Sequence, residues 1–167
     1  GTVQAALTGP EHPARRGRAG SAPLFLTNTS PGLERAWSAV ATHDEITDRP
    51  RSVQLLGRHW CVLRLDGRLT AFEDRCPHRL APLSIGTNCG ATLECRYHGW
   101  RFDQAGACTL IPSLGPDASI PPKADVAVPY GLVERYGLVW LAPAEPVCEL
   151  PSFPEWDDPG YDTSRNE

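Results

Sequence analysis

The stretch from residue 76 to residue 100, CPHRLAPLSIGTNCGATLECRYHGW, places two cysteine–histidine pairs close together in the chain. One residue separates Cys76 from His78, two residues separate Cys95 from His98, and sixteen residues lie between the two pairs. The chain of 167 residues contains only five histidines, so this stretch concentrates them beside cysteines. Cysteine thiolates and neutral imidazoles are ligands of zinc and of iron–sulfur clusters. The stretch therefore predicts a metal centre.

Each cysteine–histidine pair follows a segment that has the pattern of a strand, "LTAFEDR" before Cys76 and "ATLE" before Cys95. Pro77 lies within the first pair and Gly99 directly follows the second, and both residue types favour tight turns. We expect two facing loops, each of which presents one thiolate and one imidazole. Four such ligands would form a closed cage for a metal.

Two kinds of metal group fit these four ligands. Zinc binds Cys2His2 sites, but structural zinc sites usually pair like ligands along the chain, as C-x(2–4)-C and H-x(3–5)-H. A Rieske-type [2Fe-2S] cluster takes both cysteines on one iron and both histidines on the other. Here unlike ligands are paired twice, which suits a cluster in which each loop reaches both irons. A zinc-stabilised binding domain remains a remote alternative.

The segments around the metal stretch predict an all-β domain over residues 33–145. Short apolar runs such as "SVQLLG", "HWCVLRL", "RLTAFED", "WRFD" and "YGLVERYGLVWLAP" alternate with Gly and Pro turns. The pair Asp66-Gly67 is a strong hairpin signal between two of these runs. Such a pattern is typical of a sandwich or a barrel-like fold. A further short strand is expected around residues 37–41.

The two ends of the chain have a different composition. Residues 1–32 are rich in Gly, Pro, Ala, Arg and Ser without a sustained period, which predicts a flexible N-terminal arm. Residues 146–167 are rich in proline and acidic residues, and we interpret them as an extended exit segment that leads toward an absent catalytic domain. No internal repeat is evident.

Composition argues against several classes of partner. A formal net charge of −4 disfavours nucleic-acid binding, and no apolar run approaches the 18 residues of a membrane span. Six cysteines could indicate disulfides, but the chain is long enough to fold without them and no secretory signal is recognisable. We expect Cys61, Cys108 and Cys148 to be buried free thiols, and we assign no role to Cys89.

The metal stretch resembles the Rieske iron–sulfur motif. "CPHRLAPLSIG" and "CRYHGWRFDQAG" are similar to the N-terminal Rieske domain of ring-hydroxylating and related Rieske non-haem iron oxygenases, and the resemblance covers about residues 33–157. It implies a Rieske-type antiparallel β-sandwich with a small cluster-binding subdomain of two loops. It also implies that a [2Fe-2S] cluster is held by Cys76, His78, Cys95 and His98.

Departures from the Rieske proteins of cytochrome bc complexes imply a low reduction potential. Those proteins have a disulfide between two cysteines at the places of Ala81 and Tyr97, so this chain cannot form that bridge. They also have a Ser and a Tyr at the places of Trp100 and Phe102. Without those hydroxyls the reduced cluster is stabilised less, so we expect a potential near about −150 mV. Trp100 and Tyr97 either shield the cluster from water or are ordinary packing residues.

No histidine follows His98, and His12, His43 and His59 do not match the D/N-x-x-H-x(4)-H pattern of the family's mononuclear iron site. We therefore assign no catalytic residue and no ligand role to these three histidines. The resemblance implies an electron-transfer module, whose mononuclear Fe(II) belongs to an absent domain that acts as the electron acceptor.

The resemblance also implies properties of the parent protein. It would be a cytoplasmic mono- or dioxygenase that forms a homotrimer and receives electrons from a reductase or a ferredoxin. The alternative is a complete stand-alone Rieske-type ferredoxin. Arg79 and Arg96 are either solvated or contacts for an acidic partner.

Overall fold

The structure, a computed structural model, describes residues 31–115 and 119–161. Apart from its last two residues, the expected N-terminal arm lies outside these ranges, as does the end of the exit segment. The described residues form ten short strands and six short 3-10 helices, with no α-helix. The strands are β1 (Ser38–Thr42), β2 (Arg51–Leu55), β3 (Arg58–Leu65), β4 (Arg68–Glu73), β5 (Thr87–Asn88), β6 (Thr92–Glu94), β7 (Arg101–Asp103), β8 (Cys108–Leu110), β9 (Gly131–Arg135) and β10 (Leu138–Ala142). The 3-10 helices are Pro31–Arg35, His43–Glu45, Leu83–Ile85, Pro112–Leu114, Pro122–Ala124 and Pro154–Asp157.

Three of the hairpins turn on two residues that both have positive φ. These pairs are Leu56-Gly57 (53° and 77°), Asp66-Gly67 (47° and 78°) and Tyr136-Gly137 (58° and 67°). Positive φ at both central residues matches the right-handed twist of the flanking strands, and a glycine at the second position adopts it without strain. The predicted hairpin at Asp66-Gly67 is therefore confirmed.

The strands form three antiparallel sheets, in the orders β1-β10-β9, β2-β3-β4 and β5-β6-β7-β8. β1, at the start of the domain, pairs with β10, at its end. The first sheet therefore joins the two ends of the domain. The four-stranded sheet carries the second cysteine–histidine pair, directly after β6. The sequence-based prediction of an all-β antiparallel fold is confirmed.

Strand β3, in the middle of the sheet β2-β3-β4, is buried on both faces, which explains its nearly continuous apolar run. Trp60 and Val62 of β3 face the β1-β10-β9 sheet and pack with Val139 and Leu141 in one core. The alternate residues of β3 belong to a second core, shared with the four-stranded sheet. Its members include Cys61, Leu63, Leu65, Phe72, Leu93 and Phe102. Because strand side chains alternate in direction, one strand can serve both cores.

The three cysteines that were expected to be buried free thiols are not all buried. Cys61 and Cys108 are buried, as expected, whereas Cys148 is exposed and its predicted burial is wrong. β10 ends at Ala142, and the chain beyond it runs over the surface instead of entering a core. All six cysteines are free thiols. No helix among the described residues has the length and hydropathy to cross a bilayer.

Candidate metal centre

The first loop turns back immediately after Cys76. The Cys76 N–H donates to the carbonyl of Ala81 at 2.8 Å, and the N–H of Leu80 donates to the carbonyl of Cys76 at 2.8 Å. Leu80 adopts a left-handed backbone conformation with φ of 59°. This tight turn places His78 at the exposed apex of the loop.

The second loop repeats the same backbone pattern around Cys95. The Cys95 N–H donates to the carbonyl of Trp100 at 2.8 Å, and the N–H of Gly99 donates to the carbonyl of Cys95 at 3.0 Å. Gly99, like Leu80, lies four residues after its cysteine and has a positive φ, here 70°. The Cys95 N–H is used in this turn, and strand β6 ends at Glu94, within the predicted strand segment "ATLE".

The two loops bring the four predicted residues together as two like pairs. Cys76 and Cys95 are each only 2% exposed, and both thiols belong to the same buried core. The rings of His78 and His98 have centroids 4.6 Å apart and meet edge to face. Both imidazoles are exposed. The thiols thus lie on the inner side of the site and the imidazoles on its outer side.

Aromatic rings flank both imidazoles. The ring of Trp100 stacks on that of His78, with centroids 4.7 Å apart and planes 4° from parallel. The ring of Tyr97 lies 3.9 Å from that of His98. Phe102 is fully buried in the same core as both cysteines. The site therefore has an apolar core on the side of the thiols and aromatic rings next to both imidazoles.

A buried carboxylate closes the first loop, and sequence reasoning did not identify it. Asp74, 7% exposed, accepts hydrogen bonds from the Ser84 N–H and from the Ser84 hydroxyl, both at 2.7 Å. These bonds join the two ends of the segment that holds Cys76 and His78. The sequence shows Asp74 two residues before Cys76, but no local pattern identifies Ser84, ten residues later, as its hydrogen-bond partner.

The protonation states of the donors follow from their surroundings. Burial raises the pKa of the Cys76 thiol to about 11, and the neighbouring Cys95 adds to the rise. Desolvation, with smaller contributions from His98 and Arg79, lowers the pKa of His78. At neutral pH the free site thus holds a protonated thiol and a neutral imidazole. Metal binding must therefore release a thiol proton, whereas the imidazole is already in its metal-binding form.

The donor arrangement fits a two-iron cluster better than a single ion. A tetrahedral zinc site needs four donors around one point. Within residues 31–115 and 119–161, no group of three or more His, Cys, Asp or Glu side chains is arranged to hold one metal ion. A Rieske cluster instead needs two cysteines at one iron and two histidines at the other, which is the pairing found here.

The three histidines without a predicted ligand role do not belong to the two loops, and the first of them, His12, lies outside the described residues. His43 belongs to the 3-10 helix after β1 and contacts Glu134 of β9, and His59 of β3 lies near Ser52. Arg79 and Arg96 are exposed beside the imidazoles.

Comparison with known proteins gives one consistent family. The Rieske [2Fe-2S] domain family matches residues 36–136. The methylxanthine N1-demethylase NdmA of Pseudomonas putida is 39% identical over 135 residues, which cover 76% of this chain and 38% of that protein. The chloroacetanilide N-alkylformylase oxygenase component of Rhizorhabdus wittichii is 40% identical over 116 residues, with coverage of 68% and 32%.

Solved structures agree with the sequence matches. The structure of NdmA superposes with a TM-score of 0.72 at 37% identity, over 80% of this chain and 42% of that one. Dicamba monooxygenase with non-haem iron and dicamba superposes with a TM-score of 0.68 at 33% identity, over 77% and 40%. The chain thus spans about two-fifths of the length of the first relatives it matches.

Proposed function

Because the chain belongs to the Rieske [2Fe-2S] domain family, we propose that it transfers single electrons through a cluster held by Cys76, His78, Cys95 and His98. The observation that supports this proposal is the separation of the four side chains into a buried thiol pair and an exposed imidazole pair. When bound, the cluster takes up and releases one electron at a time.

The residues around the cluster have distinct tasks in this proposal. Cys76 and Cys95 bind as thiolates from the buried side, where the apolar core excludes water. His78 and His98 bind from the exposed side, so their outer ring edges form the point of closest approach for a partner. Trp100, stacked on His78, fixes the orientation of that imidazole and limits the access of water.

We further propose that the chain is the Rieske part of a Rieske non-haem iron oxygenase. The supporting observation is that the chain matches demethylases and monooxygenases over only about two-fifths of their length. In this proposal a separate domain with a mononuclear iron accepts the electron and performs mono- or dioxygenation or N-demethylation. A reductase or a ferredoxin supplies the electron, and the parent protein is a homotrimer.

We also propose a cytoplasmic location, because the four cysteines outside the proposed cluster site are free thiols, which suits a reducing compartment.

A reading frame that continues beyond Glu167 into a domain with two histidines and a carboxylate would support the oxygenase assignment. One that stops there would favour the stand-alone ferredoxin.

Electron paramagnetic resonance of the purified chain, before and after dithionite, tests the cluster. We expect a signal only after reduction, with an average g below the free-electron value, as the family resemblance implies. Cys76→Ser and His98→Ala should abolish or alter this signal. His59→Ala, which changes a histidine outside the site, should leave it unchanged. A colourless protein with one bound zinc ion would contradict the proposal.

A further inference from the structure

The segment before β1 and the segment after β10 run side by side where the chain enters and leaves the β1-β10-β9 sheet. The Ala144 N–H donates to the carbonyl of Glu34 at 2.9 Å, and the Val147 N–H donates to that of Arg35 at 3.0 Å. The Arg35 guanidinium in turn donates through Nε to the main-chain carbonyl of Glu145 at 3.1 Å. Three hydrogen bonds thus hold the two segments together and give this part of the surface a defined shape.

A cavity of about 550 Å³ lies beside this junction. Its walls are formed by Trp37 before β1, by Tyr130 before β9 and by residues 145–150 after β10. The volume is within the range of sites that hold small molecules. None of these residues belongs to either metal loop, so the metal centre does not account for the cavity.

The charged side chains that line this cavity are all acidic. Glu145 and Glu149 are exposed there, and neither forms an ion pair with a residue in the described ranges. Arg35 contacts the main-chain carbonyl of Glu145 rather than its carboxylate. The Tyr130 hydroxyl donates to that carboxylate at 3.4 Å, which keeps it beside the ring. Two carboxylates without a basic partner favour a positively charged ligand.

Two aromatic side chains, Trp37 and Tyr130, line the same cavity. An aromatic ring attracts a cation to its face, and the indole ring does so most strongly. A Cβ placed on Gly131 would collide with the Trp37 ring, so the ring lies directly against the backbone of β9. The Trp37 indole N–H is buried and has no hydrogen-bond partner among the described residues. Packing against Gly131, and not a hydrogen bond, therefore sets the place of this ring.

We propose that this cavity binds a small organic cation, an ammonium group that carries alkyl substituents. The two carboxylates and the two rings attract its charge, and aromatic walls are known to recognise quaternary ammonium groups. Val147, which is 67% exposed, and Leu150 contact its alkyl groups. A metal ion does not fit, because no three His, Cys, Asp or Glu side chains of the described residues are arranged to hold one. The inference goes beyond the proposed electron transfer and does not depend on it.

Titration of the purified chain with choline chloride, followed by heteronuclear NMR, tests this site. The indole signal of Trp37 is identified by its loss in Trp37→Phe. We expect this signal and the backbone amides of residues 147–150 to shift until saturation. Sodium chloride at the same concentrations should produce no saturable shift. The neutral alcohol in which carbon replaces the ammonium nitrogen of choline should bind more weakly by about tenfold or more.

A pair of double variants separates the cavity from the general charge of the exit segment. Glu145→Gln/Glu149→Gln keeps the size of both side chains but removes both charges, and it should weaken choline binding by roughly tenfold. Glu155→Gln/Asp157→Asn removes two charges from exposed residues of the same segment that do not line the cavity. This matched control should bind choline within about twofold of the unchanged chain.

Tyr130→Leu removes one ring but keeps an apolar side chain, and it should weaken choline binding by about threefold or more. Unchanged amide signals away from the cavity show that the variants fold, and the reduced-state resonance signal should be the same in each, because the metal loops are untouched. Equal choline affinities for the two double variants would overturn the proposal. Equal binding of choline and its neutral analogue, or a Trp37 signal without a saturable shift, would overturn it as well.

Discussion

Trp100 stacks on a proposed ligand, since its ring lies within 4° of parallel to that of His78, with centroids 4.7 Å apart. We predict that Trp100→Ala loses the cluster several times faster in air than the unchanged chain, because the imidazole gains freedom and water gains access. Trp100→Phe keeps an aromatic face and should lie between the two. The decay of the visible absorbance measures this. Equal decay rates for all three proteins would show that the stacking has no protective role.

Phe102 belongs to the same buried core as Cys76 and Cys95 but offers no hydrogen bond. We predict that Phe102→Tyr raises the reduction potential by tens of millivolts, because a hydroxyl donated toward the cluster stabilises the added electron. Protein-film voltammetry gives the potential of both proteins. Tyr97→Phe, which removes an exposed hydroxyl instead, serves as the comparison and should leave the potential nearly unchanged. A potential of the unchanged chain above zero would contradict the premise that the site lacks such donors.

At the scale of the elements, the bond pair between Asp74 and Ser84 holds the first metal loop against the end of β4. We predict that Asp74→Ala lowers the free energy of unfolding by about 1–3 kcal/mol, because the part-buried Ser84 donors lose their acceptor. Ser84→Ala removes only the hydroxyl bond and should cost less. Urea unfolding followed by tryptophan fluorescence measures both.

The control for this loop is Asp48→Ala, which removes an exposed carboxylate and should change stability by no more than about 0.5 kcal/mol. If Asp74→Ala lowered the free energy of unfolding no more than Asp48→Ala, the two hydrogen bonds between Asp74 and Ser84 would not be what closes the loop.

A second cross-sheet contact predicts a dependence of stability on pH. Arg64 of β3 donates to Glu134 of β9 at 2.6 Å, and His43 contacts the same carboxylate. The Arg64 hydrogen bond is the main reason why the pKa of Glu134 is lowered from 4.5, and burial opposes it. A carboxyl whose pKa is lower in the folded chain stabilises it fully above pH 4.5, and this contribution is lost as pH falls through the folded pKa.

We therefore predict that Glu134→Gln loses less stability than the unchanged chain when the pH falls below 4.5, although it is the less stable protein at neutral pH. Urea midpoints at about pH 6 and about pH 4 give the comparison. Glu149→Gln, an exposed carboxylate outside this contact, should leave the pH dependence unchanged. The prediction fails if both variants have the slope of the unchanged chain.

For the whole molecule, the features that were predictable from the sequence are those with local chemistry. The hairpin at Asp66-Gly67 was predictable because both residues tolerate the positive φ that its turn requires. The proximity of the four candidate ligands was predictable as a set because their spacing is itself the signal, whereas their role as ligands stays a prediction. The like pairing of thiols and imidazoles was expected from the chemistry of the cluster, and the structure has the same pairing.

The features that escaped prediction are contacts between residues distant in the chain. The pairing of β1 with β10, and the contact of His43 with Glu134, depend on how the sheets pack and leave no local pattern. Cys148 was expected in a core because its neighbours are apolar, but the sheet had already ended at Ala142. The role of Asp74 was missed because its partner, Ser84, lies ten residues later and comes close only when the loop folds.

The last contact that organises the molecule is the return of the exit segment onto the β9–β10 hairpin. The hydroxyl of Tyr136, at the tip of this hairpin, accepts a hydrogen bond from the Phe153 N–H at 2.7 Å. The Tyr136 ring also meets Phe153 and Trp156 edge to face, with centroids 5.0 Å and 5.4 Å away. Tyr136 thus holds the part of the exit segment around Phe153 and Trp156 against the hairpin.

We predict that Tyr136→Ala speeds amide hydrogen exchange at Phe153 by about tenfold or more, because the hydrogen bond and both ring contacts are lost together. Tyr136→Phe keeps the rings and should give an intermediate rate. The reduced-state resonance signal should persist in both variants, because Tyr136 lies in the turn that follows β9 and belongs to neither metal loop. Exchange at Phe153 that is the same in all three proteins would mean that the segment is held by contacts other than Tyr136. A loss of the signal would mean that the exit segment supports the metal site itself.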